Sequence, residues 1–124
     1  MQRHVLVVED DPEFAELLKI GLEIRGFRAT AVYNGESAKM AIGTYYPDLI
    51  LLDLGLPDLP GEEVCRFVKH SYDPMIQPIP IIMLTGKDKD VDQVVGTVMG
   101  AAHYICKPAS LVDLFQKIDH LLAA

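Results

Sequence analysis

Five short apolar runs recur along the chain, separated by longer stretches of mixed character. They span residues 4–8, 27–33, 48–54, 79–85 and 103–106. Three of the runs are continuously apolar rather than alternating, which is typical of strands that are buried on both faces of a parallel sheet. The run at 27–33 is more mixed, so we expect it near an edge. The pattern predicts five β-strands.

Stretches with apolar residues at helical spacing alternate with these runs. The first, third and fourth predicted helices span 12–25, 61–69 and 88–99, and Asn34 and Ser110 can cap the second and the fifth. The residues expected on inward faces include Phe14, Leu17, Leu18 and Leu22 in the first helix, Ala38, Ala41 and Ile42 in the second, and Val64, Phe67 and Val68 in the third. Asp11 and Pro12 suit the start of the first helix, and Gly26 suits its end.

The alternation of strands and helices predicts a (βα)5 fold of the α/β class. Crossovers between parallel strands are right-handed and place helices on both faces of the sheet, which makes the fold doubly wound. The 124 residues are one domain's worth, so we assign residues 1–124 to a single domain.

Polar groups follow most of the predicted strands. In an open parallel sheet, ligands bind beyond the carboxyl ends of the strands. The groups at those ends are Glu9 and Asp10 after the first strand, Asp53 at the end of the third, Thr85 and Gly86 at the fourth, and Lys107 with Pro108 at the fifth. Because four of five strands deliver such groups to one edge, we expect the functional site there.

An acidic cluster is predicted at this edge, formed by Glu9, Asp10 and Asp53. Two like charges ~4 Å apart repel by roughly 1 kcal/mol in water and ~4 kcal/mol near a protein surface. The cluster must therefore protonate, pair with a cation or bind a metal, and Lys107 offsets only part of the charge. Carboxylate oxygens select Mg²⁺ rather than Zn²⁺, and no His or Cys joins the cluster at zinc-ligand spacing.

The same groups suit phosphoryl transfer. Asp53, the central acid, is the natural nucleophile, because a carboxylate can attack phosphorus and form an acyl phosphate. Mg²⁺, the Lys107 ammonium and the Thr85 hydroxyl could stabilise the three phosphoryl oxygens, and Gly86 leaves open space beside them.

Composition and charge narrow the function further. Acidic residues outnumber basic ones by 18 to 11, and a net charge of −7 argues against direct nucleic-acid binding and against an anionic membrane surface. The chain contains neither the ~20-residue apolar run of a membrane helix nor a secretory signal. Cys65 and Cys106 are expected to be reduced thiols in apolar surroundings, which favours a cytoplasmic protein.

Four motifs resemble those of the receiver domains of two-component response regulators. They are VLVVEDD at the first strand, DLGLPDLPG around Asp53, MLTG at the fourth strand and YICKP at the fifth, and their order fits the family over nearly all of 4–122. The resemblance implies a flavodoxin-like sheet with strand order 2-1-3-4-5, which is the strand order of this family.

The resemblance also implies a role for each residue of the acidic cluster. Asp53 would accept a phosphoryl group from a phosphohistidine. Asp10 would bind Mg²⁺ directly, Glu9 would act mainly through water, and Asp53 with the backbone carbonyl of Gly55 would complete the protein ligands.

Residues of the fourth and fifth strands have implied roles too. Thr85, Gly86 and Lys107 would contact the phosphoryl group. Tyr104 resembles the switch aromatic that turns inward when Thr85 moves toward the phosphate. The Lys107–Pro108 bond is a candidate cis peptide.

The function implied is a phosphorylation-controlled signalling switch that catalyses only its own phosphorylation and dephosphorylation and is not a conventional enzyme. A sensor histidine kinase or phosphotransfer protein would supply the phosphoryl group. A downstream output domain, an effector or a second copy would bind the face formed by 88–99, 103–106 and 110–122. The kinase, its signal, the phosphoryl lifetime, any attached output domain and the role of 71–80 stay open.

Two other functions are alternatives to this one. A receiver fold can serve as a phosphorylation-independent binding module, but such proteins usually lack the nucleophile, the lysine or an acid, all of which are present here. A phosphohydrolase or nucleotide-binding enzyme is disfavoured, because neither GxxxxGK[ST] nor GxGxxG occurs.

Outside the cluster, Asp58 in LPDLPG is interpreted as a turn residue.

Overall fold

Five parallel strands form one sheet in this computed structural model, which describes residues 2–85, 103–106 and 111–122, with Thr85 and 103–106 described by their backbone. The strands are β1 (His4–Val8), β2 (Arg28–Val32), β3 (Leu49–Asp53), β4 (Ile81–Thr85) and β5 (His103–Cys106). Their order is β2-β1-β3-β4-β5, which confirms the flavodoxin-like topology and places β2 at an edge.

Helices lie between the strands and cover both faces of the sheet. They are α1 (Pro12–Ile24), α2 (Gly35–Tyr45), α3 (Gly61–Lys69) and the C-terminal helix (Leu111–Leu122). The predicted helix at 88–99 and the predicted cap at Ser110 lie outside the described residues.

The central strands are buried on both faces, as their continuous apolar runs predict. Along β1, Val5 and Val7 pack with α1 and the C-terminal helix, whereas Leu6 and Val8 pack with α2 and α3. The same alternation runs along β3 and β4. Burial of each such side chain contributes roughly 1.5–3 kcal/mol to the free energy of unfolding, so the two cores fix the sheet that positions the strand ends.

Side-chain caps set the helix starts where the sequence predicts them. The Asp11 carboxylate accepts a hydrogen bond from the Glu13 amide at 3.1 Å, and Pro12 is the first residue of α1. The Asn34 side chain accepts from the Ser37 amide at 2.8 Å and caps α2. After α1, Gly26 adopts a φ of 94°, a left-handed conformation that turns the chain toward β2.

Two inward-facing predictions are wrong. Leu17 of α1 is 49% exposed and Phe67 of α3 is 38% exposed. The buried residues of α1 are Ala15, Leu18 and Leu22, and those of α3 are Gly61, Val64, Cys65 and Val68. The sheet covers a narrower stripe of each helix than the apolar pattern indicates. Leu17 and Phe67 each precede a buried residue and lie about 100° from it around the helix, so their side chains reach solvent.

Candidate functional site

The carboxyl ends of β1 and β3 place the acidic residues side by side. The two strands pair in parallel, with Val8 opposite Leu52. Glu9 and Asp10 follow the end of β1, and Asp53 is the last residue of β3. The parallel register therefore brings acids that are far apart in sequence to one edge of the sheet.

The three carboxylates form one compact cluster. Glu9, Asp10 and Asp53 each offer an oxygen, and these oxygens all lie within 4.8 Å of one another. Glu9 is 1% exposed and Asp53 is 5% exposed, whereas Asp10 lies at the surface. The cluster thus has a buried base and one exposed member through which solvent can reach it.

Backbone amides hold the two buried carboxylates. The Asp11 amide donates to Glu9 Oε2 at 3.1 Å, and the Gly55 amide donates to Asp53 Oδ1 at 3.1 Å. The Glu9 amide in turn donates to the carbonyl of Val32 at 3.1 Å, which fixes the exit from β1. These bonds orient the side chains before any ligand binds.

The donor set fits a hard divalent cation. All three groups are carboxylates, and their oxygens lie close enough to share one ion with waters. Mg²⁺ prefers such oxygen ligands and keeps several of its waters, which the exposed side of the cluster at Asp10 leaves room for. The residues present therefore fit the predicted metal.

One glycine, Gly61, allows the chain to pass close to the backbone of Asp53 and Leu54. A Cβ on Gly61, the first residue of α3, would lie 2.6 Å from the Asp53 carbonyl oxygen and 2.7 Å from Leu54 Cα. A Cβ on Gly55 would lie 3.8 and 3.9 Å from the two Asp53 carboxylate oxygens, which is ordinary contact. The sequence predicts Gly61 as a turn residue and as the start of the third helix, but its close contact with the end of β3 was not predicted.

The predicted phosphoryl contacts lie at the neighbouring strand ends. Thr85 is the last residue of β4, where its backbone pairs with Cys106 of β5, and Asp53 pairs with Leu84. Tyr104 lies within β5 opposite Met83. The side chains of Thr85 and Tyr104 lie outside the described residues, as do Gly86, Lys107 and Pro108, so their contacts, the switch role and the cis bond stay predictions.

Asp58 has a role that the sequence analysis missed. Its carboxylate accepts hydrogen bonds from the Gly35 amide at 2.8 Å and the Glu36 amide at 2.9 Å. These bonds, first from Gly35 and then from Glu36, lower the pKa of the Asp58 carboxyl. Asp58 is thus more than a turn residue, because it ties the loop after β3 to the start of α2.

Cys65 is fully buried in the core cluster that also contains residues of α2 and α3, which confirms the apolar surroundings predicted for it. Burial is the main reason that its pKa is raised, which keeps the sulfur protonated and poorly nucleophilic. The side chain of Cys106 lies outside the described residues.

A doubly wound parallel sheet with polar groups beyond the carboxyl ends of its strands defines a class of ligand-binding α/β proteins, and the carboxylates of this chain occupy that position. Within that class, the chain belongs to the response regulator receiver domain family, whose sequence pattern matches residues 5–119. Among the helices that the structure describes, none is long and apolar enough to cross a membrane.

Solved receiver domains superimpose on the chain over nearly its whole length. The signal receiver domain of a signal transduction histidine kinase from Syntrophus aciditrophicus is 36% identical, with a TM-score of 0.88 over 98% of this chain and 90% of that one. The BeF3-activated N-terminal receiver domain of RstA from Klebsiella pneumoniae is 30% identical, with a TM-score of 0.87 over 98% and 100%. A two-component response regulator from Clostridium difficile is 27% identical, with a TM-score of 0.89 over 98% and 96%.

Proposed function

We propose that this receiver domain is a phosphorylation-controlled switch in which Asp53 accepts a phosphoryl group from the phosphohistidine of a sensor histidine kinase or a phosphotransfer protein. The observation that carries the proposal is the convergence of Glu9, Asp10 and Asp53 within 4.8 Å at the carboxyl edge of the sheet. Asp53 is the member that ends the most apolar central strand and is fixed by a backbone amide.

Asp10, Asp53 and the backbone carbonyl of Gly55 would hold Mg²⁺, and Glu9 would act mainly through a water. When bound, the ion supplies positive charge that offsets the carboxylates and the oxygens of the incoming phosphoryl group. The hydrogen bond from the Gly55 amide to Asp53 Oδ1 sets the rotation of the nucleophile.

Asp53 attacks the phosphorus of the donor, so that a carboxylate O–P bond forms as the P–N bond of phosphohistidine breaks. The donor imidazole leaves with the electron pair of that bond and takes up a proton. Thr85 and Lys107, with Gly86 beside them, are the proposed contacts for the phosphoryl oxygens. Later attack by water on phosphorus frees Asp53 and ends the signal, so the chain turns over only its own modification.

The downstream partner is an output domain or an effector protein, and the face formed by 88–99, 103–106 and 110–122 is the proposed docking surface for it or for a second copy in a homodimer. We place the protein in the cytoplasm, where histidine kinases present their phosphorylated domains. Because the related RstA receiver domain is described as activated by BeF3, beryllofluoride is a suitable stable mimic for detecting changes on this face.

Phosphorylation is tested by intact mass spectrometry after incubation with acetyl phosphate and Mg²⁺. Wild type is expected to gain one phosphoryl group, and Asp53→Asn is expected to gain none. The matched control is Asp11→Asn, which removes a neighbouring charge while asparagine preserves the cap of α1, and it should still be modified. An unmodified wild type, or undiminished modification of Asp53→Asn, contradicts the proposal, and the former result favours a phosphorylation-independent binding module.

A further inference from the structure

The loop between β3 and α3, residues 54–60, is fixed at both of its ends. The Leu54 amide donates to the Leu84 carbonyl at 3.2 Å, and the Gly61 amide donates to the Leu54 carbonyl at 3.3 Å. Gly55 lies over the Asp53 carboxylate, to which its amide donates at 3.1 Å. Gly55 and Pro57 are nevertheless exposed to solvent, so burial does not fix the middle of the loop. Contacts from other residues must hold it in position.

Asp58 supplies such contacts through α2. One of its carboxylate oxygens accepts from the Gly35 amide at 2.8 Å and the other from the Glu36 amide at 2.9 Å. Both amides belong to the first turn of α2, where helix amides lack intrahelical partners and the helix dipole favours negative charge. A carboxylate has an oxygen for each of the two amides, whereas an asparagine side chain has only one acceptor oxygen.

Leu59 makes a second, apolar contact at the same place. Its side chain is partly buried and packs against the core cluster that α2 and α3 share. It occupies the space beside Gly35 so closely that a Cβ on that glycine would lie 2.5 Å from Leu59 Cγ. The polar bonds of Asp58 and the packing of Leu59 therefore seat the middle of the loop on the start of α2.

We infer that Asp58 is a positioning residue for the acidic site, because by seating the loop on α2 it holds Gly55 in place over Asp53. The inference rests on the proposed function, in which the Gly55 carbonyl is a ligand of Mg²⁺ and the Gly55 amide donates a hydrogen bond to the nucleophile Asp53. Thermodynamic linkage makes the effect reciprocal. Mg²⁺ at the acidic site therefore strengthens the bonds between Asp58 and α2.

The test compares Asp58→Ala with the matched control Asn34→Ala. Asn34 caps the same helix through the Ser37 amide, so its loss weakens the start of α2 but leaves the hydrogen bonds of Asp58 and the packing of Leu59 in place. Mg²⁺ affinity is measured by titration followed by amide NMR shifts, and hydrogen exchange of the Gly55, Gly35 and Glu36 amides is measured with and without Mg²⁺.

Asp58→Ala is expected to weaken Mg²⁺ binding by up to about tenfold and to speed exchange at Gly55, because Asp58 acts through the loop and its effect should not exceed the smallest one caused by losing a direct hydrogen-bond partner of a metal ligand. Asn34→Ala should change neither. In wild type, Mg²⁺ should slow exchange at Gly35 and Glu36. Should Asp58→Ala fail to fold, Asp58→Asn keeps one acceptor oxygen and is expected to show a smaller loss in the same direction.

Equal Mg²⁺ affinities for wild type, Asp58→Ala and Asn34→Ala overturn the positioning role while leaving the proposed function intact. A wild type that binds no Mg²⁺ contradicts the proposed function instead. In that case exchange at Gly55 decides the positioning role alone: faster exchange in Asp58→Ala than in Asn34→Ala supports it, and equal exchange overturns it.

Discussion

His4 is a nearly buried histidine at the start of β1, at the edge of the sheet opposite the acidic site. Its ring nitrogen Nε2 lies 2.8 Å from the Thr30 hydroxyl, and the ring meets that of Tyr45 edge to face at 5.5 Å. Burial first, and then the charge of Arg28, lower the pKa of His4, although Asp48 partly opposes them. The folded protein therefore favours the neutral imidazole.

This lowered pKa predicts a loss of stability on mild acidification. The unfolded chain, whose histidine keeps its ordinary pKa of about 6.5, binds the proton more tightly than the folded one. The contribution of His4 to the free energy of unfolding is therefore complete above that pH and is lost as the pH falls through the folded pKa. Urea unfolding between pH 7.5 and 5 is expected to show a steeper decline in wild type than in His4→Gln.

The matched control is His120→Gln, which replaces an exposed histidine on the C-terminal helix that takes no part in the contacts of His4. A His4→Gln variant with the same pH dependence as wild type contradicts the assignment.

At the residue scale, the sequence predicts the acidic cluster but not the hydrogen bonds of Asp58 that hold the neighbouring loop. Glu9, Asp10 and Asp53 could be predicted to meet, because the carboxyl ends of parallel strands share an edge. The bonds from Asp58 to α2 could not, because the distance between a loop and the start of an earlier helix depends on how both pack on the sheet. A turn-forming aspartate carries no signal of which amides it will accept from.

α1 and the C-terminal helix dock through an aromatic ring against a glycine. A Cβ on Gly21 would lie 2.5 Å from Phe115 Cζ. The guanidinium of Arg25 lies 4.9 Å from the centroid of the Phe115 ring and pairs with Asp119 at 2.9 Å. Gly21 thus allows the two helices to approach closely, and Arg25 contacts both the ring and Asp119 of the C-terminal helix.

The same substitution in two helices is expected to have opposite effects. Gly43→Ala in α2 meets nothing within 4 Å and should stabilise the protein by roughly 0.5–1 kcal/mol through helix propensity. Gly21→Ala gains the same propensity but forces Phe115 out of its place, which typically costs 1–3 kcal/mol, so a net loss is expected. Urea denaturation of both variants checks the signs, and a stabilised Gly21→Ala contradicts this account of the docking.

At the element scale, helix starts were more predictable than helix faces. Asp11, Pro12 and Asn34 act locally, within one turn, so their sequence context suffices. The exposure of Leu17 and Phe67 depends on how wide a stripe the neighbouring sheet covers. Helical period gives the direction of an apolar face but not its width, and for that reason both predictions were wrong.

The acidic site bears on the stability of the whole molecule. Three carboxylates within 4.8 Å, two of them nearly buried, add repulsion to a chain whose net charge is already −7. Removing one of these charges should relieve about 1 kcal/mol or more. A site organised for binding a cation therefore lowers the stability of the metal-free protein.

Asp53→Asn is accordingly expected to unfold at a higher urea concentration than wild type when Mg²⁺ is removed by EDTA. Added Mg²⁺ should stabilise wild type in proportion to the logarithm of its concentration above the dissociation constant, and should stabilise the variant less. Equilibrium urea unfolding with and without Mg²⁺ measures both effects. An Asp53→Asn protein less stable than wild type in EDTA argues against repulsion as the dominant effect.

For the molecule as a whole, hydrophobic pattern predicted the number and type of the strands, which the sheet confirms. Pattern alone did not order them, because each apolar run in the centre of a parallel sheet looks like its neighbours. The order came from the family's motifs, and only the mixed character of 27–33 pointed to an edge from physical grounds. That strand is the half-buried β2.

The pairing of β1 with β3 determines when the acidic site forms during folding. Asp10 and Asp53 lie far apart in the sequence. They come together only when β3 pairs with β1, after the chain has passed through β2 and α2. A partly folded or truncated chain that has β1 and β2 but not β3 holds just half of the ligands. The complete carboxylate cluster therefore requires that β3 has paired with β1, and under the proposed function a chain without β3 also lacks the phosphoacceptor Asp53.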